Sequence, residues 1–206
     1  MATPTLPVSN RQKIKPKRRF PPETLTDAEV RALLEPCRGS ASGIRNRALI
    51  AILYRAGLRI SEALDLYPKD VDLDRGAIRV LHGKGGKSRV VGVDRGALAI
   101  LERWLDVRAC CGHGSHVPVF CTVSGERLTA GYVRRWLPIL GSRAGIAKRV
   151  HAHGLRHTHA AQLREEGVDI GIISKQLGHA SISTTAHYLD HIAPWAVVDA
   201  ISCRDW

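Results

Sequence analysis

The 206-residue chain has no apolar run of membrane-spanning length, and its N-terminus lacks the apolar centre of a signal peptide. Neither a membrane-embedded nor a secreted protein is expected. Its five cysteines (Cys37, Cys110, Cys111, Cys121, Cys203) are an odd number without framework spacing, which argues against a disulfide scaffold and for a reduced cytoplasm. No internal repeat is present. Acid is also scarce: 19 Asp and Glu stand against 31 Lys and Arg, leaving a formal charge of +12. A surplus of that size favours a polyanionic partner, nucleic acid first and an anionic membrane second. At 44% hydrophobic residues the chain is not disordered as a whole, and its length suits one well-buried domain with a short appendage.

Residues 1–20 contain no acid at all, yet they hold Arg11, Lys13, Lys15, Lys17, Arg18 and Arg19, six of the +12 charges. Such a run is expected to be unfolded when free. Taken alone it reads equally as a solvated tail or as an arm lying along phosphates and releasing their counterions. The chemistry further along favours the arm.

Folded structure is expected from Thr26, which with Glu29 has capping-box spacing ahead of Val30, Leu33 and Leu34. A longer helix is expected over 44–56, with Leu49, Ile52 and Leu53 inward and Gly57 as the residue that ends it. A short helix over 60–66 follows. The period then changes to two, and three short strands over 71–73, 77–82 and 88–93 are joined by tight turns. Asp94 caps a helix to about residue 107, and an irregular stretch over 113–125 leads to Thr129, the cap of a helix bearing Tyr132, Val133 and Trp136. Pro138 is expected to end or kink that helix. Four helices over 154–166, 169–177, 182–189 and 193–202 finish the chain. The fold class is therefore mainly α with a small three-stranded antiparallel sheet (α+β).

The chemistry concentrates in HAHGLRHTHA and LGHASISTTAHYLD, which carry His153, Arg156, His179 and Tyr188. A lone phenol after a cluster of imidazoles and guanidinium suggests a nucleophile aimed at phosphorus. Guanidinium groups match non-bridging phosphate oxygens with paired planar donors. A cation about 4 Å from such an oxygen is worth roughly 4 kcal/mol at an effective dielectric near 20. Arg156 lies one helical turn after His153, and Arg59 in GLRISEAL starts from a helix boundary. Either arginine alone reads best as a surface ion pair; their joint presence reverses that. Lys84, in the Gly-flanked turn of HGKGGKSR, can donate a proton to a leaving 5′ oxygen, although such a turn is also an ordinary hairpin tip. Lys87 and Arg89 beside it are expected on backbone phosphates. A phenol is mostly protonated at neutral pH and needs a base or a positive field, and this set offers both.

Two metal sites are rejected. His153 and His157 have helical spacing without the glutamate of zinc proteases, and Arg156 between them disfavours a divalent ion. His157 and His159 read as packing or hydrogen-bonding residues. In CCGHGSH, residues 110–116, the sulfurs and imidazoles lack a second ligand segment, so it reads as a surface loop.

GLRISEALDL, HGKGGKSRVV, HGLRHTHA and LGHASISTTAHY together resemble the signature blocks of tyrosine recombinases, the phage-integrase and Xer-like family, in order from about residue 24 to 190. The resemblance implies Arg59 and Arg156 as phosphate clamps, Lys84 as general acid, and His153 and His179 as assisting imidazoles. Tyr188 would be the nucleophile of a 3′-phosphotyrosyl link. Glu62 resembles the family's supporting acid, either orienting a catalytic group or capping its helix. No metal, ATP or other cofactor is implied. The partners implied are double-stranded DNA and, on paired sites, a homo-tetramer assembled from chains that are monomeric without DNA, with room for an accessory DNA-bending protein. Residues 192–206, including Ile192, Trp195, Val197 and Val198, would dock on a neighbour or pack on their own core.

The chain departs from most of the family at its front. A basic arm over 1–23 precedes a catalytic domain over 24–206, with no separate core-binding domain of the usual size. In this it resembles the short single-domain members, such as fimbrial phase-variation invertases, or a truncated integrase. The function implied is site-specific recombination by integration, excision or inversion in the cytoplasm. The alternatives are nicking and resealing like type IB topoisomerases, or a non-catalytic DNA-binding regulator.

Overall fold

The computed structural model describes residues 23–81, 88–192, 198 and 201–202, with 191 and 192 described by backbone alone. The expected basic arm, the turn bearing Lys84 and Lys87, and most of the expected last helix and docking segment lie outside the described residues.

Thr26 opens α1 (Asp27–Leu34) with the expected reciprocal cap. The Glu29 N–H donates to Thr26 Oγ1 at 3.2 Å and the Thr26 N–H donates to Glu29 Oε2 at 2.7 Å. Helix α2 (Ala41–Arg55) begins ahead of residue 44 because Ser40 caps it, its Oγ accepting from the Gly43 N–H. Every residue from 48 to 54 is buried, so α2 is enclosed on all sides rather than along one stripe. Burying one such Leu or Ile contributes about 1.5–3 kcal/mol, and α2 is accordingly the centre of the main core.

Helix α3 (Ile60–Leu64) and a 3₁₀ turn (Pro68–Asp70) lead into β1 (Val71–Asp72), β2 (Ala77–Val80) and β3 (Arg89–Gly92). They form one antiparallel sheet in the order β1-β2-β3, with Ile78 opposite Val91 and Val80 opposite Arg89. The strands are shorter than the alternating pattern suggested. At the far end Asp94 is already the cap of α4 (Arg95–Cys110), its Oδ1 accepting from the Ala97 N–H at 3.0 Å.

The irregular stretch after α4 is held from within. Buried Arg108 donates to the carbonyls of His113, Gly114, Val117 and Pro118, and Trp104 Nε1 donates to Val119 O at 2.7 Å. One guanidinium thus supplies the donors that a strand partner would otherwise give. Helix α5 (Ala130–Arg143) runs on past Pro138, so of the two outcomes expected there, an end and a kink, the end does not occur. Proline removes one backbone donor, but Val133 before it and Leu137 and Gly141 around it are buried. Gly141 lies so close to Val150 that a Cβ there would meet its Cγ2 at 2.5 Å, and this tight packing holds the helix in place.

Helices α6 (Ala152–Glu165), α7 (Ile170–Leu177) and α8 (Ile182–Ile192) complete the described chain. The first half of α6 joins the main core through Leu155. Its second half, with Ala160 and Ala161, joins Ile173, Leu177 and Leu189 in a separate smaller cluster. Helix α7 also packs on β3. Among the described residues no helix is long and apolar enough to cross a membrane.

Candidate active site

The site is built around the C-terminal end of α7. Gly178, left-handed at φ 64, closes that helix: its N–H bonds to Lys175 O, and the His179 N–H bonds back to Ser174 O at 3.1 Å. This pattern leaves the carbonyls of residues 176–178 pointing outward without helical partners. Three arginines from three other elements meet them. Arg89 Nε donates to Gln176 O at 3.3 Å, Arg156 Nη2 to Leu177 O, and Arg59 Nη2 reaches Gly178 O at 3.5 Å, the long limit of a hydrogen bond. The negative end of the α7 dipole is thereby matched with cations.

Arg59 stands at the start of α3. The Gly57 turn, at φ 62, and buried Leu58 fix its backbone. Glu62, one turn into α3, takes the Arg59 N–H on Oε2 (2.9 Å) and Arg59 Nη1 on Oε1 (2.7 Å). The two roles left open for Glu62 are therefore both filled by one carboxylate, which caps the helix and orients the guanidinium. Arg89 grips the same carboxylate with both Nη atoms, at 2.9 and 2.8 Å. Burial at 4% exposure would raise the Glu62 pKa, but Arg89, the Arg59 N–H and the Arg59 side chain outweigh it and hold the group at about 2.

Arg89, expected on a backbone phosphate, is 12% exposed in its side chain and has all three nitrogens engaged with Glu62 and Gln176 O. The sequence held no local sign of this, because its partner Glu62 lies 27 positions away.

Arg156 issues from α6, whose N-terminus is capped by His151, with Nδ1 accepting from the Gly154 N–H at 2.9 Å. Arg156 is 1% exposed and its guanidinium also donates to Gly57 O, so the ends of two helices face this cation. Burial, and then the charge of Arg59, push its pKa down to about 10.

His179 Nε2 lies 3.4 Å from Arg156 Nη2, which can only donate, so Nε2 is the acceptor and Nδ1 carries the proton toward Thr185 Oγ1 at 2.9 Å. Burial and the neighbouring arginines push the His179 pKa down to about 4, so the ring is neutral at pH 7. Thr185, fully buried in α8, is a functional neighbour that sequence reasoning missed within a Ser/Thr-rich run.

The Tyr188 ring stacks on His157 at 4.9 Å and 21°, with His179 edge-on at 5.3 Å and His153 at 6.4 Å. His157, expected to pack, forms the floor of the phenol. His153 stands exposed at the mouth; the protein around its ring, and then Arg156, lower its pKa. The phenol oxygen is buried and no group meets it in hydrogen-bond geometry. Burial raises its pKa to about 12 despite the opposing charge of nearby Arg156. Arg59, His153, Arg156, His179 and Tyr188 are thus brought together, with Glu62 behind them.

The phage integrase family model matches residues 23–193. The chain is 34% identical over 187 residues to the tyrosine recombinase XerC of Escherichia coli O157:H7, covering 89% of this chain and 61% of that one. It thus spans about three-fifths of the length of that curated relative. Among solved structures it resembles the XerA recombinase, with TM-score 0.79 and 31% identity over 91% of this chain and 68% of that one. It also resembles the XerH site-specific recombinase in a post-cleavage complex with its palindromic difH substrate, with TM-score 0.71 and 30% identity over 89% of this chain and 54% of that one. Since the family pattern extends from ahead of α1 to the end of α8, this chain belongs to the phage integrase family.

Proposed function

We propose that this chain breaks and rejoins duplex DNA by transesterification, as a site-specific recombinase with Tyr188 as nucleophile. One observation carries the reading: two arginines, a neutral imidazole and a phenol from separate helices converge on the end of α7. Arg59 and Arg156 hold the non-bridging oxygens of the scissile phosphate, and Tyr188 Oη bonds to phosphorus as the bond to the 5′ oxygen breaks. Lys84, assigned by resemblance, gives that oxygen its proton. The phenol's own proton goes to an imidazole, His153 or His179. Their lowered pKa values leave both rings unprotonated with a nitrogen lone pair to accept it, and the arginines that stabilise the departing phenolate offset their weak basicity. The reverse reaction joins a new 5′ hydroxyl and frees Tyr188. Preorganised cations account for much of the acceleration in such a site.

Residues 24–206 form the catalytic domain in this reading. Double-stranded DNA is the substrate, approached by the basic arm and Lys87, and the working form is a tetramer on paired sites in the cytoplasm. Support comes from the relative named a site-specific recombinase and captured after cleavage. The test is covalent trapping. The protein is mixed with nicked duplexes that lose a short fragment on cleavage, and SDS-resistant adducts are isolated and their DNA sequenced. An adduct that disappears in Tyr188→Phe, on a recurring sequence, is expected. Binding without any adduct would make the chain a DNA-binding regulator, and an adduct surviving in Tyr188→Phe would move the nucleophile elsewhere.

A further inference from the structure

Arg89 belongs to none of the catalytic roles assigned so far, yet its guanidinium engages both α3 and α7 beside the site. It leaves β3 at the position paired with Val80. Both Nη atoms are bidentate on Glu62, and Nε holds Gln176 O. Its guanidinium runs directly under Gly178, where a Cβ would approach Arg89 Cζ to 2.7 Å. The joint between β3 and α7 has a second fastening nearby. The Gln176 side chain pairs with Gly92 as a strand would, accepting from its N–H at 3.0 Å and donating to its carbonyl at 2.8 Å, and also donates to Ala56 O. The sheet is therefore tied both to the end of α2 and to the helix end that carries His179.

We infer that Arg89 is a positioning residue for strand cleavage, setting Arg59 through Glu62 and locking β3 against the helix end that presents His179. A planar fork suits this task, because two fixed bonds to one carboxylate define its orientation whereas a lysine ammonium defines only a distance. Glu62 cannot hold Arg59 in one place unless its own plane is fixed from the other side. Arg89 supplies that constraint, and the glycine at 178 leaves the room for it.

This inference rests on the proposed chemistry, so the wild-type chain must first give the Tyr188 adduct; if it does not, the functional reading fails before Arg89 is tested. Single-turnover cleavage is then measured at saturating nicked DNA, with DNA affinity measured separately across salt. Arg89→Gln is expected to slow cleavage on the order of 10- to 100-fold, as misplacement of a clamp does, with DNA affinity little changed. The slope of log affinity against log salt stays at the wild-type value. Arg89→Lys, the variant to use if Arg89→Gln does not fold, recovers part of the rate. Glu62→Gln is slow as well, and the double variant Arg89→Gln with Glu62→Gln is no slower than the worse single one, because Arg89 acts through Glu62. Wild-type cleavage in Arg89→Gln, or multiplicative losses in the double variant, would overturn the inference. So would a salt slope shallower by about 0.9, which marks a lost phosphate contact.

Discussion

Tyr188 keeps its hydroxyl buried, near Arg156 but outside good hydrogen-bond geometry. A buried polar atom left without a well-formed hydrogen bond costs on the order of 1–3 kcal/mol, and the weak approach of Arg156 offsets only part of that. Tyr188→Phe removes the oxygen and keeps the ring stacked on His157. This variant is expected to unfold at higher denaturant than wild type, by about 1 kcal/mol or more. Urea titration of the two proteins checks it, and equal or lower stability would mean that the hydroxyl has a partner in solution. That Arg59, Arg156, His179 and Tyr188 come together was readable from the sequence, because they sit in short blocks dense in Arg and His. Arg89 was not, since its orientation depends on a carboxylate in another element and leaves no mark on its own neighbours.

At the scale of elements, α7 shows how a helix end becomes a binding platform. Its closing motif uses some of its last carbonyls and leaves three for arginines. Gly178→Ala combines a left-handed backbone with a side chain pressed onto Arg89. A loss of at least about 1–2 kcal/mol from the backbone alone is expected, and cleavage should fall further than stability predicts because three cations shift together. Thermal melts alongside cleavage rates decide it; activity retained in a well-folded Gly178→Ala would show the platform to be tolerant. The caps at Thr26, Asp94 and Thr129 were legible because each is a bond between residues three apart. The path of α5 beyond Pro138 was not, because it is settled by burial against distant residues such as Val150.

For the molecule as a whole, buried imidazoles link folding to pH. His159 is 5% exposed beneath the Gly57 turn, and burial, then Arg55, lower its pKa from 6.5 to about 4. Below pH 6.5 the unfolded chain takes up a proton that the native ring refuses, so stability falls as pH drops toward 4 and levels off below it. The slope reaches about 1.4 kcal/mol per pH unit for one such group, and His179 adds in the same direction. Denaturation midpoints at pH 7, 5.5 and 4.5 measure it. His159→Gln should flatten the decline, and an unchanged decline would put its source elsewhere. The mainly helical outline and the three-stranded sheet were both foreseeable from periodicity. The division of the interior into two clusters was not, because apolar spacing tells which face is inward and not which neighbours it meets.

That division bears on how the nucleophile is held. Among the described residues α8 sinks only Thr185 and Leu189 fully, and both lie away from the main core. Lifting α8 off would expose roughly one leucine and part of one aromatic ring, of order 3–5 kcal/mol, while α2 and everything packed on it stayed intact. The phenol and the helix end that the cations grip thus share the smaller cluster, while the arginine backbones issue from elements packed on the larger one.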